Sequence, residues 1–110
     1  MLWIFEITDK TGRLTHLSYK QWLHIQTHPG MTISVIERIK ETLISPYKIF
    51  LSESDSSAYF FFRYYKDRQE YLMVLVKYLN GNGFIITSFY TDTLQWKETY
   101  RFIMMKKEIF

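Results

Sequence analysis

Leu2 to Thr8 is a mostly apolar run whose pattern predicts a strand. Asp9-Lys10-Thr11-Gly12 has turn chemistry, with Gly12 supplying a permissive backbone, and Arg13 to Leu17 returns as a short second strand. These two segments predict an N-terminal hairpin. Ser18, followed three residues later by Gln21, has capping-box form and predicts a helix from Tyr19 to about Thr27, ended by Pro29-Gly30. Ile33, Ile36, Ile39 and Leu43 recur at helical spacing and predict a second helix beginning at Met31 or Thr32. Glu37, Arg38, Lys40 and Glu41 would face water, and Ser45-Pro46 would stop the helix because a residue before proline leaves the α region.

Beyond Pro46 the pattern is that of strands. Tyr47–Glu53, Ala58–Lys66, Tyr71–Leu79 and Phe84–Thr91 are separated by Asp55-Ser56-Ser57, Asp67-Arg68-Gln69-Glu70 and Asn80-Gly81-Asn82-Gly83, the last a strong hairpin signal. The tail from Leu94 to Phe110 fits either a last strand or a basic amphipathic helix ending at Lys106-Lys107. The order predicts an α+β fold, with the N-terminal hairpin and two helices packed on a four-stranded antiparallel sheet. Pairing Leu79 with Phe84 would put Lys77 opposite Ile86, on one face with Ser88 and Tyr90. Pairing Lys66 with Tyr71 would put Arg63 on the face of Thr87. A single bulge would change that assignment.

A chain of 110 residues fits one domain over 1–110, with 94–110 as a C-terminal extension. Aromatic residues reach 19%, while Gly and Pro number only 4 and 2, which favours a sheet-rich, ordered domain. Cysteine is absent, so a disulfide framework, a thiolate nucleophile and a Cys-ligated metal are excluded. The net charge of +3 permits an RNA partner without demanding one. No apolar run approaches the ~20 residues of a membrane span. The N-terminal apolar run meets Glu6 before any basic region, so a signal peptide is not expected and a cytoplasmic location is.

There is no P-loop, no G-x-G-x-x-G and no G-x-S-x-G, which removes the commonest nucleotide-binding and serine-hydrolase classes. His24 and His28 stand four apart and could share a helix face, but no HExxH or matching carboxylate accompanies them, so neither a metal nor a cofactor is expected. Imidazole can move protons near neutral pH. Arg63 and Lys77 interrupt apolar strands, where a cation is costly unless paired or functional. With Thr87, Ser88 and Tyr90 as hydroxyl donors, this set suits metal-free RNA cleavage: a base takes the 2′-hydroxyl proton, cations hold the phosphate, and an acid protonates the leaving oxygen. Structural roles compete at each position: a helix-end charge for His28, an edge charge for Lys77, ring stacking for Arg63, and core packing for the aromatic strand Tyr59–Tyr65.

Several segments in order carry a resemblance: Ile7-Thr8-Asp9-Lys10-Thr11-Gly12-Arg13, then Trp22-Leu23-His24-Ile25 with His28-Pro29, and Ile39 to Pro46. Tyr71 to Tyr78 and Gly83 to Thr91 complete the set. Over about residues 4–95 the chain resembles the phage-type branch of the barnase, EndoU, tRNase-colicin and RelE-like nuclease superfamily. The resemblance implies a small metal-independent endoribonuclease, the toxin of a toxin–antitoxin pair, leaving 2′,3′-cyclic phosphate and 5′-hydroxyl ends. Its implied site residues are His24 or His28, Arg63, Lys77, and Thr87 with Ser88 or Tyr90, and its implied partners are RNA and a protein antitoxin. His24 is the first choice of acid or base and His28 the second. The basic tail could contact the antitoxin or a second subunit. The rival reading is a non-catalytic RNA- or protein-binding module, motivated by the aromatic sheet with basic edges.

Overall fold

The computed structural model describes residues 3–92 and 105–109. Its elements follow in the order β1 (Trp3–Thr8), β2 (Leu14–Ser18), α1 (Tyr19–Ile25), α2 (Val35–Ile44), β3 (Lys48–Ser52), β4 (Ala58–Tyr65), β5 (Glu70–Leu79), β6 (Asn82–Thr91) and β7 (Met105–Glu108). All seven strands join one sheet, ordered β1-β2-β6-β5-β4-β3-β7.

Helix and sheet coexist as in an α+β domain, but the expected hairpin and two helices on a separate four-stranded antiparallel sheet is not what forms. The hairpin is part of the sheet. β2 runs parallel to β6 through the pairs Thr15↔Gly83 and His16↔Phe84, which makes the sheet mixed. Gly83 permits this junction, because a side chain there would run into Thr15, Tyr78 and Val76. The third histidine, His16, secures the same joint. Its Nδ1 lies 2.9 Å from the Gly83 carbonyl oxygen, its Nε2 lies 3.0 Å from the Glu6 carboxylate, and its ring stacks on Phe84. At the opposite edge β7 pairs antiparallel with β3. The tail thus supplies a strand at 105–108, while the rest of its predicted strand or helix, over 94–104, lies outside the described residues.

The hairpin turn is closed by Asp9, whose carboxylate is only 4% exposed. It accepts from the Thr11 amide at 2.8 Å, from the hydroxyls of Thr11 and Thr15 at 2.6 Å, and from the Tyr78 hydroxyl. Burial, and then this bond to Asp9, pushes the Tyr78 hydroxyl well above the usual phenol range.

α1 starts where the sequence puts it, because the Ser18 hydroxyl accepts from the Gln21 amide at 3.1 Å. α2 begins later than expected, at Val35. The missing turn explains Ile33, which stands ahead of the helix and is 75% exposed rather than on its apolar stripe. Val35, Ile39, Thr42 and Leu43 are the residues α2 buries. Both helices lie on one sheet face, where Trp22, Ile25, Ile39 and Leu43 pack against Phe61, Leu72, Val74 and Ile85. On the far face Phe60, Phe62 and Met73 are buried, with Phe50, Tyr71, Leu75 and Phe89 around them.

One irregularity decides which residues of β6 face the helices. The turn Asn80-Gly81, with φ of 54° and 82°, pairs Leu79 with Asn82 rather than with Phe84. Lys77 therefore pairs with Phe84, not Ile86. The register then slips between Val76↔Ile85 and Leu75↔Thr87, so Ile86 is the extra residue of a bulge. Beyond it Ser88 and Tyr90 turn to the helix face, and Thr87 and Phe89 to the far face with Lys77. Arg63, paired with Leu72, shares the face of Tyr90 rather than that of Thr87. Both sequence-based face assignments are thereby reversed.

Candidate active site

At the end of the sheet where β6 finishes and β4 turns into β5, three segments converge: the α1–α2 connection, the Lys66–Gln69 turn and the last residues of β6. Two adjoining cavities of about 360 and 350 Å3 lie between them and share Arg68 and Tyr90. His28, Glu70 and Phe89 line the first, and Arg38, Thr32, Ser34 and Asp67 line the second.

From the bulge onward β6 stays paired with β5, but among the described residues no strand lies along its other edge, where two carbonyls meet side chains of the helical layer. Gln21 donates its amide to the Ile86 carbonyl at 2.6 Å, and His28 Nδ1 lies 3.0 Å from the Ser88 carbonyl. A carbonyl only accepts, so His28 Nδ1 carries a hydrogen and Nε2 is the nitrogen left for proton transfer. The His28 ring also packs edge-on against Phe89, at 5.5 Å between centroids. His24, exposed on α1, meets His28 edge-on at 5.3 Å but does not line either cavity.

The arginines are held in place before any ligand arrives. Arg68 lays its guanidinium 3.8 Å from the centre of the Tyr90 ring and donates to Glu70, with Nε at 3.2 Å and Nη2 at 3.1 Å. Arg38 donates to Asp67 at 2.9 Å and to the Tyr90 hydroxyl at 3.3 Å, and its guanidinium lies over the Tyr65 ring. Arg38 in turn holds the Asp67 carboxyl below the usual carboxylate range. A guanidinium has five N–H donors, so both arginines keep donors for an anion after making these bonds. Gly30, at φ +79°, gives Arg68 room, since a Cβ there would lie 2.9 Å from Nη2.

Of the residues singled out in the sequence, His28 and Tyr90 reach this site and His24 adjoins it. The others do not. Arg63 reaches back to the C-terminal end of α2, donating to the Ser45 carbonyl at 2.6 Å. Lys77 is at the other end of β5, paired with Asp55 at 2.7 Å. Thr87 points to the far face with its hydroxyl oxygen buried and without a hydrogen-bond partner. Ser88 is fully buried, donating to the Met73 carbonyl at 2.6 Å. Arg38, Arg68 and Glu70 were missed because an exposed-looking helix position, a turn residue and the first residue of a strand carry no periodic signal.

Among the described residues no three His, Asp or Glu side chains gather as metal ligands, and no helix is long and apolar enough to cross a membrane. No protein-family model, no curated protein and no solved structure matches this chain.

Proposed function

We propose that the cleft around Arg68 and Tyr90 cleaves RNA by attack of the 2′-hydroxyl on the adjacent phosphate. The observation that carries this reading is that His28, Glu70, Arg68 and Tyr90 line one cavity. The reaction needs one group to accept the 2′-hydroxyl proton and another to donate to the departing 5′-oxygen. Glu70 fits the accepting role, since a carboxylate is a ready acceptor at neutral pH, and His28 Nε2 fits the donating role. Arg68 and Arg38 would hold the phosphate oxygens and meet the charge that builds on them, with the Tyr90 hydroxyl beside them. The products would be a 2′,3′-cyclic phosphate and a 5′-hydroxyl. The role of a toxin neutralised by a protein antitoxin is supported by the sequence resemblance alone.

The test is end-group analysis of labelled RNA incubated with the protein in a chelator, beside His28→Ala and Glu70→Gln. Cyclic-phosphate ends that vanish in both variants are expected. Binding of RNA without cleavage by the unaltered protein would favour a non-catalytic RNA-binding module instead.

A further inference from the structure

Beside the cleft, on the far face, three tyrosines form a ring cluster in which Tyr71 packs on the far-face core and Tyr47 and Tyr64 lie open to solvent. Tyr47 stacks on Tyr71 at 6.0 Å with an interplanar angle of 28°, and Tyr64 meets Tyr71 edge-on at 5.1 Å. Tyr47 and Tyr64 are 55% and 47% exposed. Exposed apolar side chains are ordinary when scattered singly, but rings in mutual contact form a contiguous patch, and such patches mark binding surfaces. The cluster is continuous with the cleft through Phe89. That ring lines the cavity of Arg68 and packs, with Tyr71, on the buried far-face residues Phe60, Phe62 and Met73. Phe89 is paired with Met73 and Tyr71 with both Thr91 and Tyr64, so the rings step across neighbouring strands at one end of the sheet.

Charge selects the occupant. Lys48 places its ammonium 5.3 Å from the Tyr47 ring centre, and Lys66 stands exposed in the turn after β4. The carboxylates of that turn and of the first residue of β5 are already engaged, Asp67 by Arg38 and Glu70 by Arg68. Flat rings flanked by cations suit a polymer of flat bases on an anionic backbone. An acidic peptide would use the cations through its carboxylates but would need interleaved apolar side chains to cover the rings, whereas every nucleotide brings both a flat ring and an anion.

We propose that Tyr47, Tyr71 and Tyr64 are a stacking platform for unpaired bases flanking the scissile phosphate, which makes single-stranded nucleic acid the preferred ligand. The inference rests on the reading of the cleft as a phosphodiester site, because that reading sets where the backbone runs. Bases in a duplex are stacked on each other, so the platform discriminates against paired strands.

The experiment measures binding of a labelled oligodeoxythymidine by fluorescence anisotropy. This probe lacks the 2′-hydroxyl and is not cut by the proposed route. Tyr47→Ala and Tyr64→Ala should each weaken binding roughly 5- to 150-fold, the range expected for loss of one stacked base. Tyr47→Phe and Tyr64→Phe keep the ring and should bind as the unaltered protein does. Duplex of equal length should bind more weakly and should not respond to these changes. Unchanged binding by the alanine variants, equal binding of duplex, or no binding of the oligonucleotide at all would overturn the platform. Cleavage of a dinucleotide distinguishes the two readings. If the alanine variants still cut it while losing the longer strand, both readings stand. If the unaltered protein binds single strands through the tyrosines but cuts nothing, only the catalytic reading falls.

Discussion

Arg68 sits over Tyr90, its guanidinium carbon 3.8 Å from the ring centre, while the same side chain donates to Glu70. A planar cation is therefore held by both an aromatic face and a carboxylate. Lysine can reproduce the charge but neither the stacking nor the fork of donors. Arg68→Lys is expected to lower the rate of RNA cleavage about 10²-fold or more, the scale of losing one oriented donor to the transition state. Thermal unfolding should change little, because the side chain is at the surface. Equal rates for the two proteins would remove Arg68 from the reaction.

Gly30 is expected to act through that arginine. Its φ of +79° strains any other residue, and an added Cβ would meet Arg68 Nη2 at 2.9 Å. Gly30→Ala should cost about 1–2 kcal/mol from the left-handed backbone alone. The guanidinium, at the flexible end of its side chain, should move off Tyr90, so cleavage should fall further than stability does. Paired urea titrations and cleavage assays give the comparison.

The sequence candidates that the fold sends elsewhere provide controls. Arg63→Ala, Lys77→Ala and Thr87→Val should each retain cleavage within about threefold, since none of these side chains lines the cavity of His28. Arg63→Ala should destabilise by about 0.5–1.5 kcal/mol, through loss of the bond to the Ser45 carbonyl. A collapse of activity in the folded Lys77→Ala protein would put the active site at the wrong end of the sheet.

Acid sensitivity should arise in part far from the cleft, at Asp55. Hydrogen bonds from Lys77 and then from Ser57 hold its carboxyl at about 2, below its ordinary 3.8. A lowered folded value contributes stability that is complete above pH ~4 and is lost as pH falls toward 2. Both partners are more than a third exposed, so solvent screening reduces the contribution to under ~1 kcal/mol. Asp55→Asn should flatten that small part of the stability profile below pH 4. An unchanged acid limb, in denaturant titrations across this range, would show that the pair contributes nothing.

Tyr78 ties the hairpin to the sheet interior through Asp9. Tyr78→Phe removes a donor from a buried carboxylate and is expected to cost about 1.5–3 kcal/mol, with the cleft untouched. Urea unfolding measures the loss, and a cost below ~0.5 kcal/mol would mean that water replaces the hydroxyl.

How much of this was legible in the chain differs from residue to residue. Ser18 and Gln21 fixed the start of α1 because a cap is a local hydrogen bond. The meander from Lys48 to Thr91 was readable because alternation and turn chemistry are local too. The mixed sheet was not, since the pairing of His16 with Phe84 joins residues 68 apart in the chain and depends on the bare backbone of Gly83. Ile33 misled because its spacing fits a stripe even though the α-helix begins only at Val35, after a turn that carries Ile33 off the apolar face.

The site divides along the same line. His28 and Tyr90 could be named in advance, because residue type alone suggests proton transfer and hydrogen bonding. Ile86 decided what Tyr90 does with that chemistry. As the extra residue of a bulge it turns Tyr90 toward Arg38 and leaves Thr87 on the opposite face. Arg38 and Arg68 belong to a helix and a turn 30 residues apart, and they become a pair only because folding brings both to one tyrosine. The sequence by itself determined the elements as far as Thr91 and their order, which follow from contacts between near neighbours, and it supplied the imidazole and hydroxyl groups; whether the tail is strand or helix it left open. The tertiary structure decided register, facing and charge pairing, because these depend on strands and turns that meet only after the chain has closed its long loops.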